Sequence, residues 1–162
     1  MNDELSGLYK AGDQHFIFNS IFLSISAFCN AGFSPSPDSL SGFSGNWYVL
    51  SIVMGLIILG GIGFVVFTNI AQKIRFAKKG RIFYLSLHVK IVLISTVVLI
   101  VSGFVFTFIS FYKTSLWEIP LSKRILTALF ESVTLRTAGF ETIPQTSFTS
   151  SASLFHLVLM FI

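Results

Sequence analysis

The chain has 162 residues, of which 53% are hydrophobic and only 11% charged, and its formal net charge is +4. A mean hydropathy of +0.80 is too high for an ordinary soluble domain, so the composition indicates a membrane protein. The single cysteine, Cys29, excludes an intramolecular disulfide and supplies no ligand cluster for a structural zinc site.

Residues 1–46 are predicted to form a short helix followed by a loop. The amphipathic stretch 13–28 has roughly four helical turns, or about 24 Å, and this falls short of the ~30 Å hydrocarbon core of a bilayer. Pro35 and Pro37 prevent the helix from continuing beyond it. We therefore interpret residues 1–46 as a half-spanning helix and its loop.

Residues 47–70 are predicted to be a transmembrane inner helix. Residues 47–69 contain no Asp, Glu, Lys, Arg or His, and about 20 apolar helical residues are enough to cross a bilayer. Four glycines lie on this helix: Gly55, Gly60, Gly61 and Gly63. They indicate either a hinge or close helix packing, and packing is the more frequent use of small residues in membranes.

Residues 71–90 are predicted to be a basic cytoplasmic loop. Six lysines and arginines fall within it, whereas all seven acidic residues of the chain lie elsewhere. Such an excess of positive charge marks cytoplasmic loops, and a merely solvated loop is compatible with the same topology. Because this cluster of six among the eleven basic residues lies between two apolar runs, no nucleic-acid partner is predicted.

The second half of the chain follows the same plan. Residues 91–112 contain no Asp, Glu, Lys, Arg or His and are predicted to be a transmembrane outer helix. Residues 113–147 are predicted to hold a second short helix, 122–135 with Ser122 as its N-cap, and a loop. Residues 148–162 begin an inner helix that stops too soon to span, so we expect a truncated piece of a longer protein.

An internal repeat connects the two halves. The tripeptide Ala-Gly-Phe occurs at 31–33 and again at 138–140, so the two copies are 107 residues apart, and Pro37 and Pro144 match at that offset. Self-similarity in an apolar chain indicates a duplicated membrane unit, here interpreted as two re-entrant pore loops. The alternative is a pair of amphipathic helices on the membrane surface, which the lack of a strongly basic polar face disfavours.

Four stretches carry a family resemblance, in this order along the chain: residues 26–33, 60–64, 85–90 and 132–140. Together they resemble the membrane subunit of the Ktr/Trk/HKT superfamily of potassium transporters, most closely its bacterial Ktr-type branch. The resemblance implies an all-α membrane protein of four helix–pore loop–helix repeats around one pore. This chain would hold about two of the four, from the second pore loop to part of the third repeat. The resemblance also implies a homodimer of the full-length protein and a cytosolic nucleotide-binding regulatory subunit.

The two repeated glycines and the residues before them are the predicted potassium site. A potassium ion that enters a narrow filter exchanges its water for backbone carbonyl oxygens, and glycine permits the backbone conformations that such a turn requires. The predicted filter residues are Cys29, Asn30, Ala31 and Gly32 in the first loop and Arg136, Thr137, Ala138 and Gly139 in the second. Potassium is the transported ion, and no other metal or cofactor is expected.

Some of these residues have a second interpretation. Each glycine could serve a turn alone. The side chain of Cys29 is interpreted as a small packing group. Arg136 either shapes the potential at the outer mouth or, as we favour, is an anchor paired with Glu131 or Glu141, since a charge at membrane depth requires a partner.

The predicted function is potassium uptake through a multi-pass protein of the cell membrane that contacts lipid. One alternative is a non-transporting structural or regulatory membrane protein fragment. A second alternative, an intramembrane enzyme, requires a nucleophile with a base, a phosphate-binding loop or paired carboxylates in the apolar runs. The sequence contains none of these motifs, so no enzyme is predicted.

Overall fold

The computed structural model describes residues 14–77, 86–111, 120–144 and 148–161. These residues form six helices, α1 (Gln14–Phe28), α2 (Trp47–Ile62), α3 (Phe64–Ala77), α4 (Leu87–Phe111), α5 (Leu121–Thr134) and α6 (Ser150–Phe161). A short 3-10 turn, Ser41–Phe43, precedes α2. No β-strand occurs within the described ranges, so the predicted all-α class is confirmed for them.

Helix α4 is the longest described helix. Its 25 residues extend for about 37 Å, and its mean hydropathy of 2.6 over 18 residues is that of a membrane span. The helix begins four residues before the predicted start at 91, because the Ser86 hydroxyl accepts a hydrogen bond from the N–H of Val89 (3.4 Å). Lys90, the last basic residue of the predicted loop 71–90, therefore lies inside the helix. The predicted end of the helix at Tyr112 lies outside the described residues.

The predicted single helix 47–70 is two helices in the structure, and the boundary at 70 is wrong. Helix α2 ends at Ile62, followed by Gly63, whose φ of 86° favours glycine. Helix α3 then extends to Ala77 at an angle of 96° to α2. The first seven residues of the predicted loop 71–90 are therefore helical. By length and composition, α4 is the one described helix able to cross a membrane, with α2 and α3 a second candidate if they count as one bent span.

The two short helices lie close to their predicted positions. Helix α1 covers the predicted segment 13–28 except for residue 13, which lies outside the described residues. Helix α5 begins one residue before the predicted 122–135 and ends one residue earlier. Ser122 is not the N-cap, because Pro120 precedes the first helical residue and places that boundary at 121.

Helix α5 lies at the centre of the packing, against both α2 and α4. One core joins α5 to α2 through buried Leu126, Phe130, Leu50, Val53 and Ile57. A second joins α4, α5 and α6 through Phe111, Ala128 and Ala152. Gly103 permits the close approach of α4 and α5, since a Cβ there would lie 2.6 Å from Ser132 Oγ.

Candidate functional site

The loops that follow α1 and α5 share one backbone conformation. Asn30 has a φ of 52° and Gly32 one of 73°, and the positions 107 residues later, Thr137 and Gly139, have φ values of 67° and 76°. Positive φ is uncommon for residues other than glycine. Its occurrence at the same two positions of both loops extends the sequence repeat to the local structure.

A hydroxyl group of each short helix holds its loop. Ser26 of α1 donates a hydrogen bond to the carbonyl oxygen of Phe33 (2.7 Å). In the second copy Thr134 both donates to the Phe140 carbonyl oxygen and accepts from the Phe140 N–H (2.9 Å each). These hydrogen bonds attach the phenylalanine after each glycine to the end of the short helix. The backbone of the glycine, which lies between the helix and the phenylalanine, is therefore restricted in its conformation.

The structure brings the two loops into direct contact. A Cβ on Gly32 would lie 2.6 Å from the carbonyl oxygen of Ala138 and 3.1 Å from the Cα of Gly139. Farther along, Leu40 N–H donates to the carbonyl oxygen of Glu141 (3.0 Å). The two predicted filter segments therefore lie side by side, backbone against backbone.

Most carbonyl groups of the predicted filter residues are unengaged. Among the described residues, no hydrogen bond ends on the carbonyl oxygens of residues 29–32 or 137–139. The carbonyl of Arg136 is an exception, because it accepts from the hydroxyl of Thr137. Carbonyl oxygens without a protein donor need water or a cation, so these loops offer oxygen ligands of the kind that potassium binds.

The side chains at the matched positions differ between the loops. Asn30 is half-buried against α2. When its side-chain amide is oriented with the nitrogen toward the neighbouring carbonyl oxygens, the nitrogen donates to the carbonyls of Ile57 (3.3 Å) and Ala27 (3.1 Å). Thr137 is exposed. The thiol of Cys29 is also exposed, so its interpretation as a packing group is not supported.

Arg136 has no ion pair with Glu131 or Glu141 among the described residues, contrary to the favoured anchor interpretation. Its side chain is half-buried, and burial lowers the pKa of the guanidinium from its ordinary value. The interpretation failed because Glu131 lies inside the packing of α5 and binds the chain after Gly139 instead.

The sequence did not predict that Glu131 holds the second loop by hydrogen bonds. Its side chain is 0% exposed, and its Oε1 accepts hydrogen bonds from the N–H (3.3 Å) and hydroxyl (2.9 Å) of Thr142. It belongs to α5, which at 14 residues is too short to span a bilayer. Burial raises the pKa of this carboxyl to about 7, and the nearby Glu141 contributes in the same direction. The available signal was an acidic residue in an apolar stretch, with Phe130 directly before it and Val133 two residues after it.

A cavity of about 350 Å³ separates the second loop from α6. Gly139, Phe140 and Glu141 line one side of it, and His156 and Met160 line the other. The ring Nε2 of His156 lies 3.2 Å from the hydroxyl of Thr107 on α4, which fixes the histidine against its neighbours. No group of three or more His, Cys, Asp or Glu side chains suited to a metal ion occurs in the described part of the chain.

Comparison with known proteins gives consistent matches along almost the whole chain. The sequence profile of the TrkH family, described as a cation transport protein, matches residues 6–162. The chain is 35% identical over 147 residues to the potassium/sodium uptake protein NtpJ of Enterococcus hirae, covering 90% of the chain and 31% of that protein. It is 37% identical over 155 residues to the Ktr system potassium uptake protein B of Vibrio alginolyticus, covering 94% of the chain and 33% of that protein.

A third relative extends the pattern. The Ktr system potassium uptake protein B of Bacillus subtilis is 36% identical over 148 residues, which cover 90% of the chain and 32% of the relative. The chain thus spans about a third of the length of the curated relatives it matches.

Proposed function

This chain belongs to the TrkH family of cation transport proteins, and from that premise we propose that it lines part of the pore of a potassium-uptake transporter. The family consists of membrane transport proteins rather than enzymes, in agreement with the sequence-based prediction. Two relatives are named for potassium uptake and one for potassium/sodium uptake, which supports potassium as the transported ion here.

The observation that carries the proposal is the pair of matching glycine loops with unengaged carbonyl groups. A dehydrated potassium ion needs several oxygen ligands at once, and backbone carbonyls supply them without a charged side chain. The oxygens of residues 29–32 and 137–139 are available for this role. Gly32 and Gly139 permit the positive φ that turns the backbone at this point.

The two short helices contribute electrostatically. Helices α1 and α5 end immediately before their loops, so the partial negative charge of each C-terminus lies beside the filter residues. Such an end attracts a cation without binding it so tightly that it cannot leave. The half-buried Arg136 has no acidic partner among the described residues and sits in the same loop, where it limits how much positive charge the site accepts at once.

The proposal includes a multi-pass topology in which α4 crosses the membrane and residues 71–90 face the cytoplasm. The segregation of basic residues supports this orientation. The partners proposed for the full-length protein are membrane lipid, a second copy of itself and a cytosolic nucleotide-binding regulatory subunit. A cysteine placed at Lys79, outside the described residues, is introduced together with Cys29→Ser, since the native thiol is itself exposed. It should react with a membrane-impermeant label only after the membrane is opened. Labelling in intact cells would reverse the orientation.

The filter assignment is tested by Gly139→Ser in the full-length transporter, reconstituted in vesicles. The substitution should lower the preference for potassium over sodium, because a Cβ disfavours the φ of 76° and displaces the carbonyls beside it. Gly55→Ser is the matched control, since a Cβ at Gly55 meets nothing within 4 Å. Unchanged selectivity in a folded Gly139→Ser protein would contradict the filter assignment, and a wild-type protein without flux would favour the non-transporting alternative.

A further inference from the structure

The buried carboxyl group of Glu131 lies directly behind the second glycine loop. It sits one turn before the end of α5, and its Oε1 is bound by the N–H and the hydroxyl of Thr142. Its Oε2 accepts no hydrogen bond from the described residues. A carboxyl group is costly to bury in an apolar core, so its position here calls for a specific role.

Among the described residues, the bond to Thr142 is the second of two attachments that side chains of α5 make to the loop after Gly139. Thr134 holds Phe140, and Glu131, three residues earlier on the same helix, holds Thr142, two residues later on the loop. The loop backbone after Gly139 is therefore fixed at two successive points. A segment held at two points cannot rotate its peptide planes independently. Both hydrogen-bonded attachments therefore restrict the orientation of the Gly139 carbonyl group.

The same attachment reaches the first loop. Glu141, the neighbour of Thr142, donates its N–H to Ser39 Oγ (3.1 Å) and accepts from the N–H of Leu40 (3.0 Å). A shift of Thr142 would therefore move the contact between the two loops as well as the second loop itself.

The first loop has no equivalent of the carboxyl group. The position 107 residues before Glu131 is Ser24, which is exposed and donates its hydroxyl to the carbonyl of Ser20 in its own helix (2.7 Å). The first loop thus has the Ser26–Phe33 bond but lacks the second attachment. The contrast offers a matched control within one chain.

We propose that Glu131 is a positioning residue that sets the carbonyl geometry of the second loop through Thr142, and thereby the ion preference at Gly139. This inference rests on the proposed filter function. Glu131 does not touch the ion, because its side chain is fully enclosed by protein. Its effect on transport passes through the loop backbone.

The test uses the full-length transporter in vesicles, with potassium uptake measured in competition with sodium. Glu131→Ala and Thr142→Val should each lower the preference for potassium, by about tenfold for Glu131→Ala, because a hydrogen bond to a carboxyl group is lost. Glu131→Gln should restore the wild-type preference, since its amide oxygen still accepts from Thr142. Ser24→Ala, at the matched exposed position, should leave the preference unchanged.

The outcomes separate the two proposals. Gly139→Ser is measured in parallel, and if it leaves the preference unchanged, the filter assignment fails and the role of Glu131 fails with it. If Gly139→Ser alters the preference but folded Glu131→Ala and Thr142→Val do not, only the positioning role is overturned. Should Glu131→Ala fail to fold, Thr142→Val decides, because it removes a single hydroxyl and keeps the side-chain shape. A Glu131→Gln protein that behaves like Glu131→Ala also overturns the role assigned to the hydrogen bond.

Discussion

The substitution Gly60→Ala tests the contact that places the first glycine loop. Gly60 faces the end of α1, and an added Cβ would overlap the carbonyl oxygen of Phe28, with the carbonyl carbon at 2.8 Å and the Cα at 3.4 Å. All three are backbone atoms, so no side-chain rotation relieves the overlap. The end of α1, with the loop that follows it, has to move away from α2 by more than about 1.5 Å before the Phe28 carbonyl oxygen reaches ordinary contact distance.

The magnitude follows from two opposing effects. Forcing an extra carbon into a packed contact costs about 1–3 kcal/mol, whereas replacing glycine by alanine inside a helix favours folding by up to about 1 kcal/mol. At Gly55, on the same helix, a Cβ meets nothing within 4 Å, so only the favourable effect applies. We therefore expect Gly60→Ala to destabilise the full-length protein by about 2 kcal/mol relative to Gly55→Ala.

The assay is thermal unfolding of both variants in one detergent, followed by potassium uptake in competition with sodium. Gly55→Ala should match or exceed the wild-type unfolding temperature and keep the wild-type ion preference. Gly60→Ala should unfold at a lower temperature and lose part of that preference, because Asn30 and Gly32 follow directly on the displaced helix end. Equal unfolding temperatures and equal selectivity in the two variants would refute the close approach of α1 to α2.

Three further predictions concern the loops and the packing around α5. Gly32→Ala should lower the unfolding temperature of the protein more than Gly139→Ala does. Both substitutions carry the positive-φ penalty of about 1–2 kcal/mol. The added Cβ at Gly32 also lies 2.6 Å from a carbonyl oxygen, whereas the nearest atom to a Cβ at Gly139 is 3.5 Å away. Gly103→Ala should cost less in a Ser132→Ala background, where the clashing oxygen is absent, and an additive double-mutant cycle would contradict that contact. The pKa of Glu131 is about 7 in the folded protein, against 4.5 for an unperturbed carboxyl group. The contribution of protonated Glu131 to the stability of the fold is therefore complete below pH 4.5 and is lost as the pH rises to about 7. The unfolding temperature should therefore fall over that range relative to Glu131→Gln, and parallel pH curves would contradict it.

The long apolar helix and the two short helices were predictable from local information. Residues 91–112 lack charge for a full bilayer crossing, and α4 indeed covers residues 91–111 of that run. The short amphipathic helices end at Phe28 and Thr134, within one residue of the predicted ends at 28 and 135, because the spacing of apolar residues along a helix is a local signal. The recurrence of Ala-Gly-Phe also predicted that the two loops would be alike, and their φ values are.

The bend at Gly63 was not predictable from the same information. Four glycines lie on the predicted helix 47–70, and each is equally able to hinge or to pack. In the structure Gly60 packs against Phe28, Gly63 breaks the helix, and Gly55 does neither. The glycines differ in which atoms of other segments lie next to them, and only the packing of the helices determines those contacts.

The sequence by itself determined the class of the protein, its apolar helices, the segregation of its basic residues and the repeated glycines of the candidate filter, because hydropathy, charge and backbone preference belong to individual residues and short segments. Only the tertiary structure decided the partners of the polar groups. It set Gly32 against Gly139, left Arg136 without the expected carboxylate among the described residues, and turned Glu131 inward to hold Thr142. Those pairings join residues from different segments, and a buried polar group takes whichever partner the packing of the helices brings within reach.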